Sequence, residues 1–360
     1  MRIEASGLED VVAATTRLSD VDGERGKLVI AGRPVEDLAG KTSFEDALSL
    51  LFQSSTSEAD VRDALGEARE AAFERIADLG DALALPDGMD ALRASVAHLS
   101  TASSEDHAPF AECLRVVGAV AVFAAAWARQ GAPVRPDLGR SLAADYLRMA
   151  TGRSPTDAAV AALDAYLVTV MDHGMNASTF AARVVASTAS DTVSAVVAGI
   201  GALKGKLHGG APGPVLDMLD AVGEPDGAGP WIARALSRGE RIMGMGHRIY
   251  RVRDPRAFVL ERAVSVLERA EGDASPIGRR LRLARAVEAE AEAQLAARHP
   301  DRPLKANVEF YTAILLEAVG LPRTLFTPTF AVARAAGWCA HVDEQRRFGR
   351  LIRPRSIYAA

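Results

Sequence analysis

Val116-Val117-Gly118-Ala119-Val120-Ala121-Val122-Phe123-Ala124-Ala125-Ala126-Trp127-Ala128 is the longest apolar run in the chain. It is too short to span a bilayer, which takes roughly 20 residues, so it reads as a buried core helix. The sequence around it points the same way. Alanine is abundant, aromatic residues make up only 5%, and long stretches place apolar side chains at i, i+3, i+4 and i+7, the period of a helix. Helix starts are marked along the chain. Ser57 and Asp60 form a capping box and predict a helix reaching about Leu79. Ser154-Pro155-Thr156-Asp157 predicts another, with proline in the first helical position. Asp254-Pro255 repeats that device before Arg256 to Ala270, and Arg282 to Arg298 reads as a charged, alanine-rich surface helix. The one strand-like piece is Lys27 to Ala31, followed by Gly32. The predicted class is therefore all-α, with a minor β hairpin near the N-terminus.

Two turn-forming stretches, Gly209-Gly210-Ala211-Pro212-Gly213-Pro214 and Gly320-Leu321-Pro322, bracket a segment long enough to be a smaller domain. They predict a large helical domain built from residues 1–211 and 323–360, with residues 212–322 inserted as a small domain. Two chain crossings at such sites would make a hinge.

Composition narrows the function. The 360 residues are 49% hydrophobic and 25% charged, with a net charge of -5. That balance gives no reason to expect nucleic acid as a partner. Residues Met1 to Asp10 carry early acids and no apolar core of a secretory signal. Cys113 and Cys339 stand far apart in sequence, each alone, with no metal spacing or disulfide framework between them. A reducing, cytoplasmic setting fits that usage, and nothing in it suggests a membrane.

The chemistry gathers in short segments. Asp172-His173-Gly174, Leu207-His208-Gly209-Gly210 and Gly246-His247-Arg248 each set a histidine beside glycine. Glycine lets the backbone turn sharply and approach a ligand closely, and histidine titrates near neutrality, which suits proton donation or carbonyl polarisation. One such pair would signify little, since a turn often carries a solvated or capping histidine. Three of them, together with Glu309 in Asn307-Val308-Glu309-Phe310 and with Arg256, Arg334 and Arg353, make a parts list. Arginines clamp carboxylates, a carboxylate can take a proton beside a carbonyl, and two histidines can stabilise developing oxyanions. The set suits a Claisen condensation on an anionic substrate. Two apparent nucleotide motifs fail. Gly199 to Lys206 has Ile200 and Leu207 where a phosphate loop needs glycine and a hydroxyl residue, and Gly244-Met245-Gly246 lacks the third glycine of a dinucleotide fingerprint. His98, His107, His299 and His341 lack glycine-rich settings and read as ordinary surface or core histidines.

With these motifs in place, the chain resembles the citrate synthases, specifically the short bacterial type. The resemblance runs from Gly7-Leu8-Glu9-Asp10 and Ser19-Asp20-Val21-Asp22-Gly23 to Arg353-Pro354-Arg355-Ser356-Ile357-Tyr358. Its most specific parts are Leu207-His208-Gly209-Gly210-Ala211, Gly246-His247-Arg248-Ile249-Tyr250 with Asp254-Pro255-Arg256, and Phe326-Thr327-Pro328 leading to Arg334. It implies a multi-helical fold whose large domain forms a homodimer and whose small domain closes over oxaloacetate and acyl-CoA, with no metal or prosthetic cofactor. It implies that His208 hydrogen-bonds the thioester carbonyl, that His247 polarises and protonates the oxaloacetate carbonyl, and that His173 binds oxaloacetate. Arg256, Arg334 and Arg353 stand where carboxylate-binding arginines are expected, Arg353 reaching into the neighbouring subunit, and Arg251 stands where CoA phosphates would be met. The family's catalytic base is normally aspartate, and here the position is Glu309, one methylene longer. The resemblance also covers 2-methylcitrate synthases, which take propionyl-CoA, and the departure at Glu309 leaves open a catalytically weak relative.

Overall fold

The structure is a computed structural model and describes residues 7–8, 11–99, 108–209, 212–247, 249–300, 304–356 and 358. His107, Gly210, Ala211 and Arg248, all part of the sequence argument, lie outside the described residues. Three short strands open the chain: β1 (Ser19–Asp22), β2 (Lys27–Ile30) and β3 (Arg33–Pro34). Helices follow: α1 (Val35–Leu38), α2 (Phe44–Leu51), α3 (Glu58–Glu74), α4 (Gly88–Ala97), α5 (Pro109–Ala128), α6 (Leu142–Thr151), α7 (Asp157–Val170), α8 (Ala177–Ala186) and α9 (Thr192–Leu203). The remainder are α10 (Pro212–Val222), α11 (Ala228–Ser237), α12 (Pro255–Glu271), α13 (Pro276–Arg298), α14 (Val308–Ala318) and α15 (Phe326–Phe348). The all-α class holds. The hairpin is instead a three-stranded antiparallel sheet, β1 pairing Ser19 with Ile30 and β2 pairing Val29 with Pro34. A two-residue edge strand containing proline gives almost no periodic signal, which is why it escapes a sequence reading.

Short polar side chains start the helices. Ser57, Asp87, Ser141, Thr156, Asn176, Asp191, Asp254, Ser275 and Asn307 each accept a backbone N–H of the first turn. Several boundaries move relative to the sequence reading. The helix from Ser57 tightens into a 3-10 turn over Arg75–Asp78. In α7 the Thr156 hydroxyl takes the cap, accepting from Ala159 N at 3.2 Å, so Pro155 lies just outside the helix. The helix expected from Arg282 starts earlier, at Pro276, behind a Ser275 cap.

The apolar run of α5 is buried as expected, but the helix that carries it has 20 residues, and by length and composition it could cross a membrane. Its surroundings decide the matter: 78% of its most apolar window is buried inside the protein, against α3, α4, α6 and α15. The contact with α15 also brings together two cysteines that stand far apart in the sequence. Cys113 on α5 and Cys339 on α15 are buried free thiols in hydrogen-bond contact with each other, because helices remote in sequence pack side by side. Burial pushes the Cys113 thiol well up. Helix α15 passes close behind the 171–172 turn. A Cβ at Gly337 would sit 2.3 Å from the Met171 carbonyl oxygen, so only glycine allows this approach.

Within 212–322, α12 packs on α13 and α14, and α11 on α13. The segment meets the rest of the chain where α12 and α14 pack on α7 and α10 on α15. That junction is where the histidines lie.

Candidate active site

Each of the three Gly-His turns is held by its own local structure. His173 follows α7, and Asn176 then caps α8 through its side chain. Ser19 on β1 pins this turn, donating to the Asp172 carboxylate and accepting from Gly174 N. His208 sits on the turn after α9, its amide donating to the Gly205 carbonyl at 2.8 Å. His247 lies on a loop tied to the start of α14. Gly246 N donates to Lys305 O at 2.7 Å and Asn307 N to Gly244 O at 2.9 Å, while Asn307 Nδ2 donates to Gly246 O at 2.7 Å. Gly244 and Gly246 have φ of 75° and 80°, and a Cβ on either would be 2.9 Å from Phe310 or Leu304 respectively. This lacing fixes His247 relative to Glu309, which occupies the first turn of α14.

The structure brings most of the predicted residues together. The His173 and His247 rings lie 5.9 Å apart between centroids. Tyr250 bridges them, with its hydroxyl 3.0 Å from His173 Nε2 and its ring 4.8 Å from that of His247. Arg256 opens α12. Its guanidinium donates to both oxygens of Asp254, at 3.0 and 2.7 Å, and its Nη2 lies 3.3 Å from His247 Nε2. Arg334 on α15 lies 4.8 Å over the Phe330 ring, and Phe330 stands edge-on to His208 at 6.3 Å. His208 Nε2 is 2.8 Å from Ser178 Oγ, which also accepts from Trp338 Nε1 at 3.2 Å. His173, His208 and Arg334 come from outside residues 212–322, and His247, Arg256 and Glu309 from within it.

The electrostatics are those of a site prepared for anions. Burial, then the charges of Arg256 and Arg334 and the neighbouring histidines, holds His173 well below its ordinary range. His208 is lowered to about 4 by burial and Arg334, and His247 to about 4 by burial and Arg256. All three are neutral at pH 7. The tautomer of His247 follows from its partners: Nδ1 accepts from Ile249 N at 3.0 Å and from Tyr250 N at 3.2 Å, so the proton resides on Nε2. His247 Nε2–H and the N–H of Arg256 Nη2 not used by Asp254 are then two donors 3.3 Å apart, and one acceptor beside them can serve both. Arg334 is 1% exposed and donates through Nε to Val170 O at 2.9 Å, but its Nη1 has no partner. Burial lowers Arg334 to about 10. An unpaired buried guanidinium nitrogen costs free energy unless a ligand anion completes it. Half-buried Glu309 is pushed up to about 7 by burial, against the pull of Arg256 and Arg334 and with the help of Asp254.

Two predicted residues are not brought to this cluster. Arg353 is exposed on the C-terminal segment, which lies over the end of α8, where Ile352 N donates to Ser187 Oγ at 3.0 Å. Arg251 is exposed, 3.8 Å from the Glu24 carboxylate. Conversely, Trp338 and His341 carried no role in the sequence reading. They stand four and seven residues after Arg334 on α15, a spacing that puts them on its face and could have exposed them. His341, read as ordinary, is fully buried. Its Nδ1 accepts from Arg183 at 2.7 Å, and its Nε2 donates to Asp172 at 3.1 Å. Burial would raise the Asp172 carboxyl, but His341, Arg334 and the Ser19 hydroxyl hold it below its usual range. Asp172 is thus a buried anion behind His173 and Arg334. Among the described residues, no three His, Cys, Asp or Glu side chains gather so as to hold a metal ion.

Comparison with known proteins gives a consistent family. The family described as "Citrate synthase, C-terminal domain" matches residues 7–355. A citrate synthase of Haloferax volcanii is 38% identical, over 98% of this chain and 94% of that protein. A 2-methylcitrate synthase of Mycobacterium tuberculosis is 36% identical, over 98% and 89%. Among solved structures, citrate synthase from Pyrobaculum aerophilum aligns with a TM-score of 0.85 and 34% identity, covering 98% of this chain and 92% of that one. The ternary complex of carboxymethyl coenzyme A and oxaloacetate with the Thermoplasma acidophilum enzyme aligns with a TM-score of 0.86 and 28% identity, covering 98% and 95%.

Proposed function

Because this chain belongs to the citrate synthase family, we propose that it condenses acetyl-CoA with oxaloacetate and hydrolyses the thioester, releasing citrate and CoA. The observation that carries the reading is a set of donors awaiting an acceptor: Arg334 Nη1, which has no partner, and His247 Nε2 with the second N–H of Arg256 Nη2, whose first N–H goes to Asp254. A 2-oxo dicarboxylate supplies both needs. A carboxylate completes Arg334, and the carbonyl oxygen sits between His247 and Arg256, where charge developing during attack is stabilised by donors already in place. His173, fixed by Tyr250, adds a contact to the same substrate. Glu309 takes the proton from the acyl carbon while His208 hydrogen-bonds the thioester oxygen, and the carbon so formed attacks the oxaloacetate carbonyl. The exposed C-terminal segment, with Leu351 and Tyr358 bare beside Arg353, supports a homodimer in which Arg353 completes the neighbouring site. Arg251, exposed beside the cluster's loop, is assigned to CoA phosphates.

Purified protein without added metal is expected to release CoA thiol from acetyl-CoA only when oxaloacetate is present. Inactivity across short acyl-CoAs and small 2-oxo acids would refute an enzyme of this kind. The similarity to a 2-methylcitrate synthase keeps propionyl-CoA as the second reading. One methylene changes discrimination by about 1–3 kcal/mol, so the ratio of kcat/KM for the two thioesters decides between them.

The split origin of the site supports residues 212–322 acting as a closing domain. The segment carries His247, Arg256 and Glu309 as well as Trp231. Oxaloacetate alone is expected to contract the protein in small-angle scattering and to change tryptophan fluorescence. Identical signals with and without saturating oxaloacetate would exclude the hinge.

A further inference from the structure

His173 and Tyr250 meet across the two parts of the site, and one strand holds them both. At the start of β1, Ser19 Oγ donates to the Asp172 carboxylate and accepts from Gly174 N at 2.8 Å, so it grips the residues on either side of His173. Val21 lies two residues on, on the same face of the strand. It covers Gly174, where a Cβ would be 3.4 Å from the Val21 Cγ2. Just past the far end of β1, Gly23 O accepts from Arg251 N at 2.9 Å. A Cβ on Gly23 would sit 2.4 Å from Ile249 O, so this turn lies directly against the backbone on either side of Tyr250. Tyr250 in turn has its hydroxyl 3.0 Å from His173 Nε2, and its amide donates to His247 Nδ1 at 3.2 Å. The strand, the His173 turn and the 249–251 loop therefore close a ring of contacts. One member belongs to the N-terminal sheet, one follows α7, and one lies within residues 212–322. Strand β1 is paired with β2 along its whole length, from Ser19 opposite Ile30 to Asp22 opposite Lys27. Its two ends thus keep a fixed separation that an unpaired loop would not.

We propose that Ser19 and Gly23 are positioning residues for the oxaloacetate site: strand β1 sets the distance between the turn of His173 and the loop of Tyr250 and His247, and with it the orientation of both histidine rings. The inference rests on the reading of His173 and His247 as contacts of oxaloacetate. The split origin of the site gives the strand this task. The two histidines belong to elements remote in sequence, yet groups aimed at one small substrate must be held to within about 0.5 Å. A paired strand that touches the backbone beside each of them supplies that constraint from outside both elements.

The test compares Ser19→Ala, Ser19→Thr, Gly23→Ala and Gly32→Ala in the full-length protein. In Ser19→Ala the Asp172 carboxylate keeps the hydrogen bond from His341 Nε2 at 3.1 Å, so the variant should fold. Calorimetry should show oxaloacetate binding about tenfold weaker, the size of one lost hydrogen bond to a charged group, with a higher KM and little change in kcat. Ser19→Thr keeps the hydroxyl and should restore the wild-type affinity. In Gly23→Ala the new Cβ must push the Ile249 backbone away, and His247 with it. There kcat should fall by up to about 10²-fold, the loss expected for a displacement of about 1 Å. Gly32→Ala controls for mere weakening of the sheet. Gly32 has a φ of 80° and open space where a Cβ would stand, so alanine strains the turn between β2 and β3 without touching either histidine segment. Its melting temperature should fall while its kinetics stay those of wild type. Nitrogen NMR of the histidine rings, with His173→Gln to assign the signal, reads the geometry directly. Ser19→Ala and Gly23→Ala should both shift the His173 Nε2 signal that reports the Tyr250 contact, and Gly32→Ala should leave it in place. Unchanged ring signals and unchanged kinetics in Ser19→Ala and Gly23→Ala would overturn the proposal, as would a Gly32→Ala variant that copies their kinetic losses. If the wild type released no thiol, the proposed reaction would fall, and the ring signals would still decide whether the strand positions His173.

Discussion

Glu309→Gln is expected to lower kcat by about 10²–10⁴-fold, the usual contribution of a positioned general base, while oxaloacetate still binds. The amide keeps the shape of the side chain and removes its basicity. The contacts assigned to oxaloacetate, through Arg334, Arg256 and His247, do not pass through Glu309. Calorimetry with oxaloacetate and a thiol-release assay together separate the two effects, and near-normal turnover in the amide variant would show that the proton goes elsewhere. The wild-type pH profile follows from the same residue. Glu309 acts only when ionised, and burial sets its carboxyl at about 7. Hence kcat/KM should rise with pH through about 7 and level off above it. The histidines at about 4 are neutral across that window and add no second limb there. Glu309→Asp should also be slower. The lacing of 244–246 to 305–307 holds the α14 start at a fixed distance from His247, and a carboxylate withdrawn by about 1 Å loses up to roughly 10²-fold in rate.

His208→Ala and His247→Ala are each expected to lower kcat by about 10²–10³-fold, with much smaller changes in substrate binding. Both rings face charge that develops mainly as the carbon–carbon bond forms. Both are held by partners that do not depend on substrate: Ser178 for His208, and the Ile249 and Tyr250 amides for His247. Donors fixed in advance need no reorganisation when charge appears, which is why losing one costs so much. Steady-state kinetics with both substrates varied reads the effect. A loss under about tenfold in either variant, below the range for such donors, would show that its role is misassigned. His173→Ala should differ in kind, raising the KM for oxaloacetate more than it lowers kcat.

Helices, caps and the three Gly-His turns are local matters, and the sequence by itself determined them. Periodicity marks which face of a helix is apolar. A serine or aspartate ahead of such a run marks where it starts, as at Ser57 and Asp254, and glycine beside histidine marks a turn that can meet a ligand. The tertiary structure decided everything that depends on helices remote in the chain becoming neighbours. It set Cys113 against Cys339, and it turned a helix long enough for a membrane into a core element by surrounding it. It placed His341, on its own an unremarkable histidine, against Asp172 behind the site. It left Arg334 Nη1 and the Tyr166 hydroxyl buried without hydrogen-bond partners, and it left Arg353 outside the cluster formed by a single chain. The physical reason is one of range. Capping and helical periodicity act over three or four residues and leave a record in sequence spacing. Desolvation and unpaired hydrogen-bonding groups arise only when separate elements exclude water together, and no spacing along one element encodes that.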